Sequence, residues 1–187
     1  MKKVVLNNGI DTPIIGFGVI YIYIMEKYTK IIETINNLIT DFNKVIAIDC
    51  HVKPLDTTKI NDNSYFLNIV DIQWNDIKFP RCGTAGVYFY FGYNKNDKQK
   101  LCTYVGKASF DSTIGKRLYD HFKNKEYDTL ENGKEYYLNG EYALELVTTI
   151  PIENAFIAPA LEEYLIFNLR EKGHELFNNS PCIFCVL

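Results

Sequence analysis

Arg117 and His121 stand four residues apart, beside Ile114, Leu118 and Phe122 at the same spacing. The apolar trio marks the buried face of a helix, and residues four apart project from one stripe of it. A guanidinium and an imidazole therefore leave this helix side by side. The guanidinium is a planar fork that matches phosphate oxygens and keeps its charge at working pH. The imidazole exchanges protons near neutrality. A carboxylate of similar interest occurs later, in APALEEYLIFNLREKG. Glu162 lies there on the row adjoining Leu161, Leu165 and Leu169, at the margin of the buried stripe with Ile166. A carboxylate beside an apolar row asks for a reason, and its hard oxygens suit Mg²⁺ or Mn²⁺. Glu163, near Phe167 and Arg170, competes for that part. Plainer readings stand beside these: Arg117 and Glu162 as a structural ion pair, His121 as a solvated histidine.

The elements that must hold these groups are legible from period and punctuation. Val87-Tyr88-Phe89-Tyr90-Phe91 alternates as a strand, a polar link covers Asn94 to Lys98, and Leu101 to Val105 predicts a second strand ending at Gly106. The two read as a β-hairpin with a long loop. Tyr88 and Tyr90 point one way, and Tyr104 shares a face with Cys102. Tyr142 to Ile150 predicts a third strand of the sheet, ended by Pro151. Pro159 near the first turn and Gly173 as a stop bound the Glu162 helix. Before Gly86, helical spacing of Ile31, Ile35, Leu38, Ile39 and Phe42 predicts a helix within Tyr23 to Lys44. Short strands are expected at Val45 to Ile48 and Phe66 to Trp74. Tyr127 to Gly140 reads as polar and turn-rich.

Gly86-Val87-Tyr88, then Tyr104-Val105-Gly106, then an Arg and a His one turn apart, resembles the GIY-YIG nuclease superfamily. Glu162-Glu163-Tyr164-Leu165-Ile166 followed by Phe177-Asn178 is similar to that family's closing signature, a Glu four residues before an Ile and an Asn after the helix. Glu162 is the matching position, and Asn178 the matching Asn, with Asn179 adjacent. Lys107 directly after the second word resembles the restriction-enzyme branch. Fifteen residues separate Tyr88 from Tyr104, more than compact members have. The resemblance implies an α+β domain with a three-stranded, mostly antiparallel sheet flanked by helices over 83–187, and a mixed helix and strand accessory region over 1–82. It implies hydrolysis of DNA phosphodiester bonds leaving a 5′ phosphate, with Glu162 holding the metal ion.

On that expectation each residue has a part. Phosphodiester cleavage needs an activated water, stabilisation of the phosphorane charge and help for the leaving oxygen. Tyr88 is the candidate base or water-positioning group. A phenol near pH 10 is a poor base at neutrality, so Lys107, Arg117 and the metal are expected to favour its phenolate. His121 relays the proton, Tyr104 bonds the phosphate or places the water, and Asn178 braces the site. Without the resemblance, Tyr88 and Tyr104 are ordinary hairpin aromatics.

Composition sets the outer bounds. The 187 residues are 47% hydrophobic and 23% charged, so the chain is globular rather than disordered. The net charge of −3 argues against a nucleic-acid binder, but Gly86 to Glu126 holds eight Lys or Arg against four Asp or Glu. From Tyr127 onwards the balance is three against ten, and the local patch sets the electrostatic footprint. Cys50, Cys82, Cys102, Cys182 and Cys185 imply neither a disulfide framework nor a four-ligand zinc site. Asp49-Cys50-His51 on a strand would point alternately and not coordinate together. Ile14 to Met25 is too short to span a bilayer, and a cytoplasmic location is expected. Gly106-Lys107-Ala108-Ser109 lacks the spacing of a P-loop.

The first twenty residues have a separate likeness, to the opening hairpin of aldo-keto reductases. They cover a tenth of the chain, and that barrel takes about 250 residues, so an oxidoreductase is the distant alternative. A nearer one is a module with a nuclease-like fold that binds nucleic acid without cutting. The expected function is a divalent-metal-dependent endonuclease on DNA, of restriction type, with RNA, repair and mobile-element roles open. Double-strand cleavage would take a homodimer, since one site cuts one strand.

Overall fold

The computed structural model describes residues 3–5, 11–13, 18–59, 62, 64–69, 80–122, 127–130, 133–138 and 142–178. Side chains are described from residue 27 onwards, except in 122–141. The chain is α+β. A short hairpin, β1 (Lys3–Val5) with β2 (Asp11–Pro13), precedes the long helix α1 (Gly18–Asn43), and β3 (Phe66–Asn68) follows. Next come β4 (Gly86–Asn94), β5 (Asp97–Ala108), α2 (Ile114–Phe122), β6 (Tyr127–Leu130) and β7 (Gly133–Leu138). The described chain closes with β8 (Tyr142–Pro151), α3 (Ile157–Glu171) and β9 (Glu175–Leu176). No helix among the described residues is long and apolar enough to cross a membrane.

Three antiparallel strands, β5-β4-β8, form the centre of the sheet, as expected. The sheet is larger than three strands: β6, β7, β9 and β3 extend it to seven. β4 lies between two neighbours and every residue from Gly86 to Tyr93 is buried. Its alternation therefore sorts side chains between two cores. Val87, Phe89 and Phe91 join Ile32, Ile35 and Ile39 of α1 and Leu161, Leu165 and Leu169 of α3. Tyr88 and Tyr90 join Ile114 and Leu118 of α2 on the opposite face. The region before Gly86 thus shares its core and sheet with the rest: α1 packs in the first cluster and β3 pairs with β8.

Local chemistry fixes where α2 and α3 sit. The N–H groups opening a helix have no partner inside it. Thr84 O accepts from Ile114 N at 2.8 Å and Cys82 O from Gly115 N at 2.9 Å, so the loop before β4 closes the start of α2. In α3, Pro159 occupies the first turn, where its missing N–H costs nothing. Gly173 ends it at φ 77°, with His174 N donating to Leu169 O at 3.0 Å.

Several expectations differ from what is found. Val45 to Ile48 is not a strand; it is a turn running into a 3₁₀ segment, Ile48–Cys50, with Val45 76% and Ile48 83% exposed. Among the described residues no strand pairs with it, and the chain that follows is tied to α1 instead, Asn43 and Asn36 bonding the backbones of Val52 and Leu55. The β4–β5 link is not long. Asn94 pairs with Asp97 across a two-residue turn, and the additional residues lengthen both strands. Tyr127 to Gly140, read as turns, contains the β6–β7 hairpin. Of Phe66 to Trp74, Phe66–Asn68 is strand, and residues 70–74, Trp74 among them, lie outside the described residues.

Leu161 is fully buried one residue from Glu162, whereas Phe167 on the same helix is half exposed. Leu161→Ala should cost about 2–5 kcal/mol and Phe167→Ala within about 0.5 kcal/mol, read by urea unfolding. Equal losses would show that α3 is not docked on this row.

Candidate active site

The two glycines of the Gly86 and Tyr104 words have steric causes. Gly86 sits at φ 154°, where a Cβ would meet Ile150 O at 2.1 Å. Gly106 lies directly opposite Tyr88 in the ladder. The Tyr88 ring crosses it so closely that a Cβ at Gly106 would be 2.4 Å from the ring's Cζ. Tyr88 is 1% exposed, so its ring has no alternative position in solvent.

This placement aims the Tyr88 hydroxyl at α2. His121 Nε2 lies 2.9 Å from it. Three tyrosines surround the imidazole, with ring centroids at 5.9 Å (Tyr88), 5.9 Å (Tyr90) and 5.3 Å (Tyr104). Tyr104 packs against Tyr88 at 6.1 Å. Tyr90 was not among the expected site residues, although its alternation with Tyr88 was the available signal. Arg117, one turn before His121, is exposed, and its charge pulls down the Tyr88, Tyr104 and Glu162 ionisations together.

The remaining residues come from the other side of the sheet. Lys107 follows Gly106 and so points to the α3 face. There it pairs with the Glu162 carboxylate. Glu162 is the better buried partner, its side chain 12% exposed against 33% for Lys107, while Glu163 is exposed. Beyond Thr103, β5 has no strand on its outer side among the described residues. Asn178 covers part of that edge, accepting from Val105 N at 3.0 Å and donating to Val105 O at 2.7 Å. Its own carbonyl accepts from Arg170 at 2.7 Å. Asn178 thus grips the edge strand two residues before Lys107. Asn179 lies outside the described residues.

Electrostatics tie the two faces into one neighbourhood. Burial, then Tyr104, and more weakly Glu162, push the Tyr88 phenol well above its ordinary range, with Arg117 opposing. Burial and Glu162 likewise raise Tyr104. Burial also raises Glu162 above the ordinary glutamate value, against the downward pull of Lys107 and Arg117. Arg117 thus acts on Glu162, and Glu162 on both tyrosines, although the Lys107–Glu162 pair and the tyrosines lie on opposite faces of β5. The expected cationic support for a Tyr88 phenolate is therefore only partial. Arg117 supplies it and burial outweighs it, while Lys107 is committed to Glu162.

A metal ion would find few ready-made ligands. Among the described residues no cluster of three His, Cys, Asp or Glu exists. Glu162 is nonetheless suitable for Mg²⁺, which takes one or two carboxylates and completes its shell with water and phosphate oxygens. The Lys107 ammonium marks where positive charge is stabilised beside that carboxylate.

Gly106→Ala should displace the Tyr88 ring and cost about 1–3 kcal/mol through overpacking, read by thermal unfolding. Its near-ultraviolet tyrosine signal should move toward that of His121→Ala, which removes the same hydrogen bond. A stable variant with an unchanged spectrum would contradict the packing. Set against protein-family models, curated proteins and solved structures, the chain has no match in any of the three.

Proposed function

We propose that the protein is a divalent-metal-dependent endonuclease of the GIY-YIG kind, acting on DNA, with restriction as its role. The observation carrying this reading is that His121 Nε2 lies 2.9 Å from the Tyr88 hydroxyl beside Tyr104, while Lys107, next to the glycine that the Tyr88 ring crosses, pairs with Glu162. Neighbouring aromatics and a lone ion pair would not need all five groups around one strand edge.

The parts divide as follows. Arg117, exposed and permanently charged, grips the non-bridging phosphate oxygens and stabilises charge as it builds. Tyr88 is held as a phenol, so it is not a resting base. It acts as one link of a relay: its oxygen takes the proton of the attacking water while its own proton passes to His121 Nε2. Tyr104 hydrogen-bonds the phosphate. Glu162 would hold Mg²⁺ or Mn²⁺, which supplies Lewis-acid stabilisation of the phosphate and leaving oxygen when bound. Lys107 keeps Glu162 ionised despite its burial. Asn178 holds β5 in place beneath them. A double-strand cut takes two copies.

A plasmid nicking assay with Mg²⁺ or Mn²⁺ tests this. Wild type should nick supercoiled DNA, and Glu162→Ala or Arg117→Ala should lose on the order of 10²–10³ in rate. Intact plasmid with wild type would defeat the reading and favour a binding module, for which bound DNA without cleavage is the signature. The pH profile adds a sign. Because burial raises Glu162, its carboxylate takes a proton at higher pH than a free glutamate. Cleavage should therefore fall, as pH is lowered, before the ordinary carboxylate range is reached.

A further inference from the structure

Two large aromatic side chains stand out in solvent at one end of the sheet: Phe110 is 60% exposed and Phe156 71%. Their rings meet edge to face, centroids 5.0 Å apart and planes at 80°. Phe110 lies in the turn between β5 and α2, three residues after Lys107. Phe156 immediately precedes α3, six residues before Glu162. The sheet brings them together, because Gly86 pairs with Ala108 on one side and Pro151 on the other. Both strands end level, and their loops leave side by side.

The pair is held out at a cost. Phe110 sits at φ 55°, a left-handed conformation that glycine or asparagine would adopt with less strain than a bulky side chain. An edge-to-face contact also leaves most of the ring faces uncovered. The surroundings narrow what those faces would meet. Lys116 and Arg117, both exposed, stand at the start of α2, where a strand's phosphates are attracted. Asp111, which follows Phe110, and Glu153, three residues before Phe156, are both exposed and disfavour a phosphate on the pair itself. An uncharged, flat group attached to a charged backbone fits that pattern.

We propose that Phe110 and Phe156 form a stacking platform for an unpaired nucleobase of the DNA strand whose phosphate is held by Arg117. This rests on the nuclease reading for the identity of the strand, and it narrows the substrate class. Bases in a continuous duplex are already stacked, so the platform serves single-stranded, gapped or locally opened DNA. Base–aromatic stacking of this kind tolerates any sequence.

The test needs no cleavage. A single-stranded oligonucleotide carrying 2-aminopurine, and the same strand in a complete duplex, are titrated in EDTA and followed by fluorescence. The proteins are wild type, Phe110→Ala/Phe156→Ala and Phe156→Trp. Wild type and Phe156→Trp should quench the single strand. The double alanine variant should bind it about ten- to a hundredfold more weakly, with little change for the duplex. Equal single-strand affinity and quenching in the double variant would overturn the platform. So would a protein dimer, seen by sedimentation, that the same variant abolishes, since the pair would then be a self-association surface. Should the double variant lose its circular dichroism, Phe156→Ser, altering one exposed ring, carries the same comparison. Quenching retained by a wild type that never nicks plasmid would sink the nuclease reading and leave the platform standing.

Discussion

The Tyr88 ring occupies the space that any side chain at Gly106 would need. Two residues eighteen apart in sequence and opposite in the ladder are thereby fitted to one another. The consequence reaches beyond the pair. With the ring laid across β5, its hydroxyl has one direction to face, toward α2, and His121 is there to meet it. The start of α2 is in turn bonded to the loop that precedes β4. Strand, glycine, helix and imidazole form a closed loop of constraints, in which moving one member displaces the next.

A second arrangement uses the open edge of β5. Tyr104 and Lys107 leave the same strand toward opposite faces, so a site using both must wrap around that edge. Asn178 makes this feasible by satisfying the Val105 backbone without adding a strand that would cover Lys107. Burial then shapes the chemistry. The same desolvation that raises the Tyr88 phenol also raises Glu162, and Lys107 and Arg117 pull that carboxylate back down.

Much of this was legible in the chain because it is local. Periodicity located Arg117 and His121 on one stripe, and the Leu161, Leu165, Leu169 row placed Glu162 at its margin. Alternation placed Tyr88 with Tyr90. What stayed hidden depends on partners distant in sequence. The commitment of Lys107 to Glu162 needs α3 folded against β5. The failure of Val45 to Ile48 as a strand reflects a missing neighbour, which apolar composition does not reveal. β6 lies at the sheet's edge with β7 next to it, where polar residues are expected, and polarity alone reads as loop. The β4–β5 link looked long because Asp97 to Lys100 is charged and exposed, although its backbone is paired.

The convergence of both faces on one edge is tested most directly at Glu162 itself. Its side-chain carboxyl carbon, followed by NMR against pH, should titrate above the ordinary glutamate range in the folded protein. Replacing exposed Arg117 by Ala should move that titration further up, because the guanidinium pulls it down from across the edge. An ordinary glutamate titration, unmoved by Arg117→Ala, would place the carboxylate outside the site and contradict the account.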